Sequence, residues 1–334
     1  LKINRWCTCS RQWYIDWKIT VEVEETGELI HEHIFDLTGK KVVIDFQSSS
    51  MGDTLSWLPY VEEFRKKHNC EILVWTFHSE WFDKDKYPEL YFLGDGERWR
   101  DVYARYYLGL FCGNQPEGND DFVLDKYKNP VNPFTIPQQQ IATDILGLEY
   151  EELWPHLKYN ENPIRKRKRK YVCIAIQSTS QCKYWNWPNG WNKIVKYIKE
   201  RLNYEVVCID RDIIYGKDKM FNKMPTGVVD ETGNKPLEER MRMLRHAEFY
   251  IGTGSGLSWL AWAVGTPTIL ISSMSKPFTE FQNNVIRLYN DNEHSGYYNT
   301  GTLNKSNWNW NPYKECKTIR DWADVETITP AQVR

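Results

Sequence analysis

The sequence of 334 residues lacks the long apolar segments and the charge excess that mark several classes of protein. No run approaches the roughly 18 apolar residues of a transmembrane helix, and the start, LKINRWCTCSRQW, has no apolar segment typical of a secretory signal. Lysine plus arginine (43) nearly equals aspartate plus glutamate (45), which argues against a general nucleic-acid binder. The eight cysteines form no CxxC pair, so we expect a cytoplasmic protein.

Common catalytic motifs are also missing. There is no Walker A loop, no GxSxG and no HExxH, which argues against P-loop enzymes, α/β-hydrolases and HExxH proteases. Residues 83–85 and 210–212 have the DxD form that some sugar transferases use for a divalent cation, and His31 and His33 share one face of a predicted strand. We expect no metal at these residues, and Asp210 could instead contact a ribose or cap a helix.

The composition is otherwise that of a folded protein rich in aromatic residues. Hydrophobic residues make up 41% and charged residues 26%, which excludes wholesale disorder. The length favours two domains, or one large domain with an appendage. The 16 tryptophans and 20 tyrosines can fill a core, and such rings also stack on sugars and bases.

Hydrophobic patterning divides the first half of the chain into two parts. In residues 11–36 apolar and polar residues alternate on both sides of a turn at residues 25–27, which predicts an antiparallel hairpin. KKVVIDFQ is then typical of a strand buried on both faces, residues 54–67 have helical spacing, and CEILVWTF is a second strand. Strand, loop, helix and strand in this order form a βαβ unit.

The same order restarts after the basic run at residues 165–170, which is either a nucleic-acid patch or, as we favour, a solvated linker. The strands KYVCIAIQ, YEVVCID, GVVD, EFYIGT and PTILIS alternate with helical segments. We predict an α/β fold with two facing Rossmann-like domains. The predicted divisions are a β appendage (1–38), two Rossmann-like domains (39–164 and 165–288) and a tail that packs back on the body (289–334).

Three polar loops follow predicted strands, at the sheet edge where open α/β sheets bind ligands. In the first, residues 48–53, Gly52 permits a tight turn or the close approach of a ligand. Asp53 is either a plain helix N-cap or a carboxylate that accepts a proton from an attacking hydroxyl. The two interpretations are compatible, because a carboxylate at a helix N-terminus is held ionised and in a fixed direction.

The other two loops suit phosphate groups. Residues 178–183 place hydroxyls and one lysine before a predicted helix, although an ordinary polar turn would look the same. Residues 252–256 are rich in glycine and precede another helix, which suits a diphosphate, although close helix–sheet packing also favours glycine. The candidate nucleotide-binding residues in these loops are Ser178, Thr179, Ser180, Lys183, Gly254, Ser255 and Gly256.

Three segments, MGDTLSWLPYVEEFRKKHNCEILVWTF, KYWNWPNGW and IGTGSGLSWLAWAVGTPTILIS, together resemble the bacterial heptosyltransferases. YPELYFLGDGE, DILGLEYEELWP and TPAQV resemble the autotransporter branch, which glycosylates serines of β-helical surface proteins. The resemblance covers most of residues 10–334. It implies a GT-B fold with an N-terminal acceptor domain and a C-terminal nucleotide-sugar domain. The implied reaction transfers a heptose from ADP-heptose to a hydroxyl, with inversion and without a metal ion.

The resemblance also implies roles for individual residues. Asp53 matches the family's catalytic base, and Lys183 matches the lysine that holds the donor diphosphate. The lipopolysaccharide members usually have aspartate at the position of Gly254, so that donor contact is not expected here. Thr179 and Ser180 lie where the family contacts phosphate, and Ser255, Gly256 and Leu257 match its second phosphate loop. Asp230 matches an acidic group near the donor ribose.

In the autotransporter branch, four cysteines of a C-terminal finger bind one iron. The matching region here, VIRLYNDNEHSGYYNTGTLNKSNWNWNPYKECKTI, holds only Cys316. We therefore predict that iron is absent and that Trp308, Trp310 and Tyr313 anchor the tail by aromatic packing. We expect no other cofactor and no membrane span. The expected partners are a nucleotide-sugar donor and a protein or glycan acceptor, with a homo-oligomer left open.

Two other functions remain open at this point. The same fold could glycosylate a glycan, the lipopolysaccharide core or a modified DNA base, although only residues 165–170 favour DNA and the net charge of −2 opposes it. A non-catalytic sugar-binding relative would suit the aromatic content. Retention of both Asp53 and Lys183 argues against it, because a lectin needs neither a base nor a diphosphate clamp.

Overall fold

A computed structural model describes most of the chain, and these residues form two hairpins and two parallel sheets with helices. The described residues are 9–94, 96–112, 123–159, 167–180, 183–185, 187–217, 220–272, 274–291, 295–300 and 328–334. None of their helices has the length and apolar character needed to cross a membrane. The predictions for Trp308, Trp310, Tyr313 and Cys316 lie outside these residues.

The N-terminal hairpin is confirmed. Strands β1 (Lys18–Glu22) and β2 (Leu29–Ile34) pair antiparallel, and the connection uses Gly27 at φ 70°, a left-handed conformation that glycine adopts without steric cost. The hairpin lies against the first sheet through Phe35, whose ring stacks on Tyr103 at 5.5 Å between centroids.

The first parallel sheet has the order β5-β4-β3-β6. Its strands are β3 (Lys41–Phe46), β4 (Glu71–Trp75), β5 (Leu90–Phe92) and β6 (Ala104–Leu108). Five of the six residues of β3 are buried, which explains its continuous apolar pattern. The described residues of this half also form two α-helices, α1 (Met51–His68) and α2 (Gln140–Leu146), and a short 3₁₀ helix at Ser79–Trp81.

The second sheet has six parallel strands in the order β11-β8-β7-β12-β13-β14. They are β7 (Tyr171–Ala175), β8 (Glu205–Cys208), β11 (Val229–Asp230), β12 (Tyr250–Thr253), β13 (Thr268–Ile271) and β14 (Val285–Leu288). The helices are α3 (Gly190–Tyr197, prolonged by a π-helical turn at Ile198–Leu202), α4 (Leu237–Arg245), α5 (Gly256–Ala263), α6 (Tyr297–Thr300) and α7 (Pro330–Val333). A separate hairpin, β9 (Ile214–Lys217) and β10 (Met220–Lys223), follows β8.

The structure confirms the two Rossmann-like sheets and adds elements that the sequence did not predict. The additions are β5, β6, β14 and the β9–β10 hairpin, which are short or lie in segments without clear periodicity. Helix α1 begins at Met51 rather than at Thr54, so Asp53 lies in its first turn and the N-cap position is Ser50. The predicted domain boundaries stay predictions.

The two halves share one continuous core, which contains buried side chains of both sheets and of α1 and α5. Helix α1 packs on α5, and Glu152 of the first half forms hydrogen bonds to residues of the second half. Its carboxylate accepts hydrogen bonds from Trp262 Nε1 (3.0 Å) and from the backbone N–H groups of Gln282 and Asn283. The final residues return to the second sheet, where Trp185 Nε1 donates to the carbonyl of Ile328 (2.8 Å).

Candidate active site

A cavity of about 400 Å³ lies between the two halves, at the carboxyl ends of both sheets. In each sheet the strand order reverses beside the central strand, and ligands of open α/β sheets bind at such reversals. The loops after β3 and β12 line the cavity at these points. Six of the predicted site residues line it: Gly52, Asp53, Lys183, Gly254, Ser255 and Gly256.

Asp53 presents its carboxylate to the cavity from the first turn of α1. It does not bond to backbone N–H groups as the N-cap interpretation required. Ser48 Oγ donates to Oδ2 (2.5 Å) and Gln138 Nε2 donates to Oδ1. Burial raises the pKa of Asp53, while the two hydrogen bonds and the positive charge of Lys183 lower it in part. The result is a fixed carboxylate that is more basic than an ordinary aspartate.

Gln138 was not predicted as a site residue, yet it joins the two halves beside Asp53. Its backbone N–H donates to the carbonyl of Thr279 in the second half (2.8 Å), and its own carbonyl accepts from Trp57 Nε1 of α1 (2.9 Å). Residues 123–139 contain no regular helix or strand, and Gln138 lies just before α2, so it does not follow a strand as the predicted site residues do.

Lys183 reaches the cavity from the loop that follows β7. Its backbone N–H donates to the carbonyl of Ser180 (3.1 Å), and the next two residues, Tyr184 and Trp185, are buried. A Cβ on Gly190 would lie 2.8 Å from Cη2 of Trp185, so the ring packs directly on the start of α3. The aromatic pair thus anchors the loop, and the positive charge of its lysine lowers the pKa of Asp53.

Helix α5 begins at the cavity, directly after Gly254 and Ser255. The Ser255 N–H donates to Ser258 Oγ (3.1 Å) within a capping box, which fixes the first turn. A helix N-terminus carries partial positive charge and N–H groups without partners in the helix, so it suits an anion. The N-terminus of α5 and Lys183 thus both place positive charge at the side of the cavity that the second half forms.

Glu280 and Tyr298 also line the cavity, and neither was predicted. Glu280 is only 8% exposed and forms an ion pair with Arg287 at 2.8 Å. Burial raises the pKa of the Tyr298 phenol, and the negative charges of Asp53 and Glu280 raise it further, so the phenol stays protonated. Both residues lie after β13, where the sequence shows no motif.

Five predicted residues are not among those that line the cavity. Ser178 and Ser180 are buried, Thr179 is exposed, and Leu257 packs against the core. Asp230 is exposed at the end of β11, and its carboxylate accepts from the N–H (2.9 Å) and hydroxyl (2.6 Å) of Thr232. These bonds lower the pKa of Asp230. The donor roles of these five residues stay predictions.

Asp210, the acid of the second DxD sequence, has a structural role. It is buried, and its carboxylate accepts from the backbone N–H groups of Ile176 (2.8 Å) and Gln177 (3.2 Å), which fixes the start of the lysine loop. Burial raises the pKa of Asp210 to about 6. Within the part of the chain that the structure describes, no three His, Cys, Asp or Glu side chains come together to hold a metal ion.

Comparison with known proteins assigns this architecture to a family. Residues 126–296 match glycosyltransferase family 9 (heptosyltransferase). The chain is 35% identical to the autotransporter heptosyltransferase BAHTCr of Citrobacter rodentium, over 99% of this chain and 78% of that protein. It is 29% identical, over 78% of its length and 59% of the relative, to the inactive autotransporter heptosyltransferase BimC of Burkholderia thailandensis.

The fold is that of a solved relative, the iron-containing dodecameric glycosyltransferase TibC from enterotoxigenic E. coli H10407. The TM-score is 0.85 at 33% identity, over 98% of this chain and 83% of TibC. The complex of TibC with ADP-D-beta-D-heptose gives a TM-score of 0.86 at 34% identity, with the same coverage of both chains.

These structures overturn the prediction that iron is absent, because both are of an iron-containing enzyme. The prediction was wrong because it counted cysteines in one tail segment, whereas metal ligands can come from distant parts of a folded chain. The described residues do not form a site that fits iron, and Cys316 lies outside them.

The expectations of an α/β fold of GT-B type and of a sugar transferase are confirmed by these comparisons. Identity of about one third extends over almost the whole chain, and the fold extends with it. The chain therefore belongs to the heptosyltransferases of glycosyltransferase family 9, in the autotransporter group.

Proposed function

We propose that this protein transfers a heptose from ADP-heptose to a serine or threonine hydroxyl of a protein. The observation that carries the proposal is the cavity itself, in which Asp53 of the first half and Lys183 of the second line one space. The donor is supported by TibC in complex with ADP-D-beta-D-heptose, and the acceptor class by relatives named autotransporter heptosyltransferases.

Asp53 acts as the general base in this proposal. The acceptor hydroxyl attacks the anomeric carbon and its proton passes to the carboxylate, so the new C–O bond forms as the bond to the diphosphate breaks. Displacement from the face opposite the leaving group inverts the anomeric centre. A raised pKa makes Asp53 a stronger proton acceptor, and its bonds to Ser48 and Gln138 fix both oxygens.

The leaving group is stabilised from the second half. As ADP departs, negative charge grows on its diphosphate, and the Lys183 ammonium and the N-terminus of α5 lie where they oppose that charge. The first half thus activates the acceptor, and the second half holds the donor. Packing of α1 on α5 sets the distance between the two functions.

Two of the four described residues of the basic run pair with acidic groups of this chain, which does not favour DNA as the acceptor. Arg167 forms ion pairs with Glu231 and with Glu205 (3.6 Å), and Lys170 pairs with Glu248 (3.2 Å). Arg167 and Lys170 are therefore paired with acidic residues of the second half. A non-catalytic role has a precedent in the inactive relative BimC. Here, however, a carboxylate and a lysine occupy one cavity, as transfer requires.

We also infer a cytoplasmic homo-oligomer. The dodecameric TibC supports the assembly. The described cysteines include three buried free thiols, at Cys70, Cys173 and Cys208, and free thiols persist most readily in a reducing compartment. Light scattering of the purified protein tests the assembly, and fractionation of expressing cells tests the location.

The proposed transfer is tested with purified protein, ADP-heptose and an autotransporter passenger fragment as acceptor. We expect the acceptor mass to rise by whole heptose residues, with the sugar on serine or threonine. Lipopolysaccharide core, offered separately, should gain none. In a parallel melting experiment ADP should stabilise the protein more than GDP or UDP. Transfer to the core alone, or no transfer by a protein that binds the donor, would contradict the proposal.

A further inference from the structure

A second carboxylate faces the cavity from the second half. Glu280 lies in the segment between β13 and β14, and it is 8% exposed. It is separate from Asp53, which lies in α1. The negative charges of both groups raise the pKa of Tyr298. The general-base chemistry uses only Asp53, so the function described above leaves Glu280 without a role.

The contacts of Glu280 hold its carboxylate in one position but occupy only some of its hydrogen-bond acceptor positions. Ser275 Oγ donates to Oε1 (2.7 Å), and Arg287 Nη1 donates to Oε2 (2.8 Å). Arg287 is fixed in turn, because its Nη2 donates to the carbonyl of Phe281 (2.9 Å). A carboxylate offers about four lone pairs, so about two acceptor positions remain for a ligand in the cavity.

Glycine at position 254 lets this carboxylate reach the start of α5. A Cβ on Gly254 would lie 3.0 Å from Glu280 Oε1, closer than ordinary van der Waals contact. Glu280 therefore adjoins the loop proposed to hold the donor phosphates. A carboxylate has no proton to donate to phosphate oxygens and repels their charge. The group that it recognises must be a hydrogen-bond donor next to the diphosphate.

We propose that Glu280 is a specificity-determining residue that accepts hydrogen bonds from the hydroxyls of the donor sugar. The inference rests on the proposed donor, in which a polyhydroxylated ring is attached directly to the diphosphate. Arg287 offsets the cost of keeping the carboxylate inside the protein, and Ser275 directs it. Lys183 and α5 thus recognise the diphosphate, while Glu280 distinguishes a hydroxyl-bearing sugar from the nucleotide alone.

Calorimetry with ADP and with ADP-heptose tests this role in Glu280→Gln. We expect affinity for ADP-heptose to fall about 10- to 100-fold, as for the loss of charged hydrogen bonds. Affinity for ADP should stay within about twofold. Glu231→Gln is the matched control, because Glu231 also pairs with an arginine of the second half, Arg167, but does not line the cavity. It should leave both affinities unchanged.

Glu280→Asp provides a second variant in case Glu280→Gln does not fold. The shorter side chain draws the carboxylate back from the cavity without removing its charge, so affinity for ADP-heptose should fall while affinity for ADP is kept. Parallel loss of both affinities in the folded variants, or no loss of either, would overturn the proposal. A wild-type protein that binds ADP but not ADP-heptose would instead reject the proposed donor, and this inference with it.

Discussion

Gly52 of α1 and Trp259 of α5 are in direct contact across the two halves of the protein. A Cβ on Gly52 would lie 2.8 Å from Cδ1 of the Trp259 indole. The sequence indicated Gly52 as a turn or ligand-approach residue, but in the structure it allows two helices to pack closely. Because Asp53 is the next residue, this contact also sets how closely the proposed base approaches the second half.

Gly52→Ala should therefore weaken both the fold and the transfer reaction. Trp259 is buried and packs edge-on against Trp262 and Phe281, so it cannot move away freely. We expect the free energy of unfolding to fall by about 1–3 kcal/mol, as for other overpacked sites. Urea denaturation measures this change. Gly94→Ala is the control, because its Cβ would meet no atom closer than 3.7 Å. Equal effects of the two changes would contradict the account.

Lys183→Ala should weaken ADP binding and also slow transfer. In the proposed site the ammonium opposes phosphate charge both in the bound donor and in the departing ADP, so KM should rise and kcat should fall. We expect ADP affinity to fall about 10- to 100-fold in calorimetry. The exposed Lys193 of α3 offers a matched control, and Lys193→Ala should bind ADP like the wild type. Unchanged ADP affinity in Lys183→Ala would remove the lysine from the donor site.

Ser48→Ala should shift the pH dependence of transfer. The base must be ionised, so kcat/KM declines as pH falls through the pKa of Asp53, and burial already raises that pKa. The Ser48 hydrogen bond lowers it, so removing the bond should move the acid limb to higher pH. Ser56→Ala is the control, because Ser56 Oγ donates to the Asp53 backbone carbonyl (2.9 Å). A limb that stays in place, or moves to lower pH, argues against Asp53 as the base.

The parts of the site that the sequence predicted are those that directly follow buried strands. Apolar runs mark β3 and β7, and the residues after such strands reach the ligand edge, so Asp53 and Lys183 could be named in advance. Gln138, Glu280 and Tyr298 come from segments whose path depends on long-range contacts, such as the bond from Gln138 N–H to the Thr279 carbonyl. No local pattern encodes such contacts.

Asp210→Asn should remove a pH dependence of stability. Burial raises the pKa of Asp210 from 3.8 to about 6, so between these values the folded protein keeps a proton that the unfolded chain releases. Its stabilising contribution is complete below pH 3.8 and is lost as pH rises to about 6. At about 1.4 kcal/mol per pKa unit, the loss is about 3 kcal/mol.

Urea denaturation between pH 4 and 7 gives the free energy of unfolding of the wild type and of Asp210→Asn. The contribution of Asp210 is the difference between the two slopes of this free energy against pH. Loss of the hydrogen bonds to Ile176 and Gln177 lowers the free energy of unfolding by the same amount at every pH. It therefore does not change the slope and cannot be mistaken for titration. Parallel curves over the whole range would show that Asp210 is ionised in the folded protein throughout.

The central claim is that Asp53 removes the acceptor proton while the second half holds the donor. The most direct measurement is the rate of heptose transfer to a protein acceptor by Asp53→Asn and by the wild type, followed by intact mass, with ADP affinity measured on the same samples. We expect the rate to fall about 10²- to 10⁴-fold with ADP affinity retained. Transfer within a few-fold of the wild-type rate would contradict the claim.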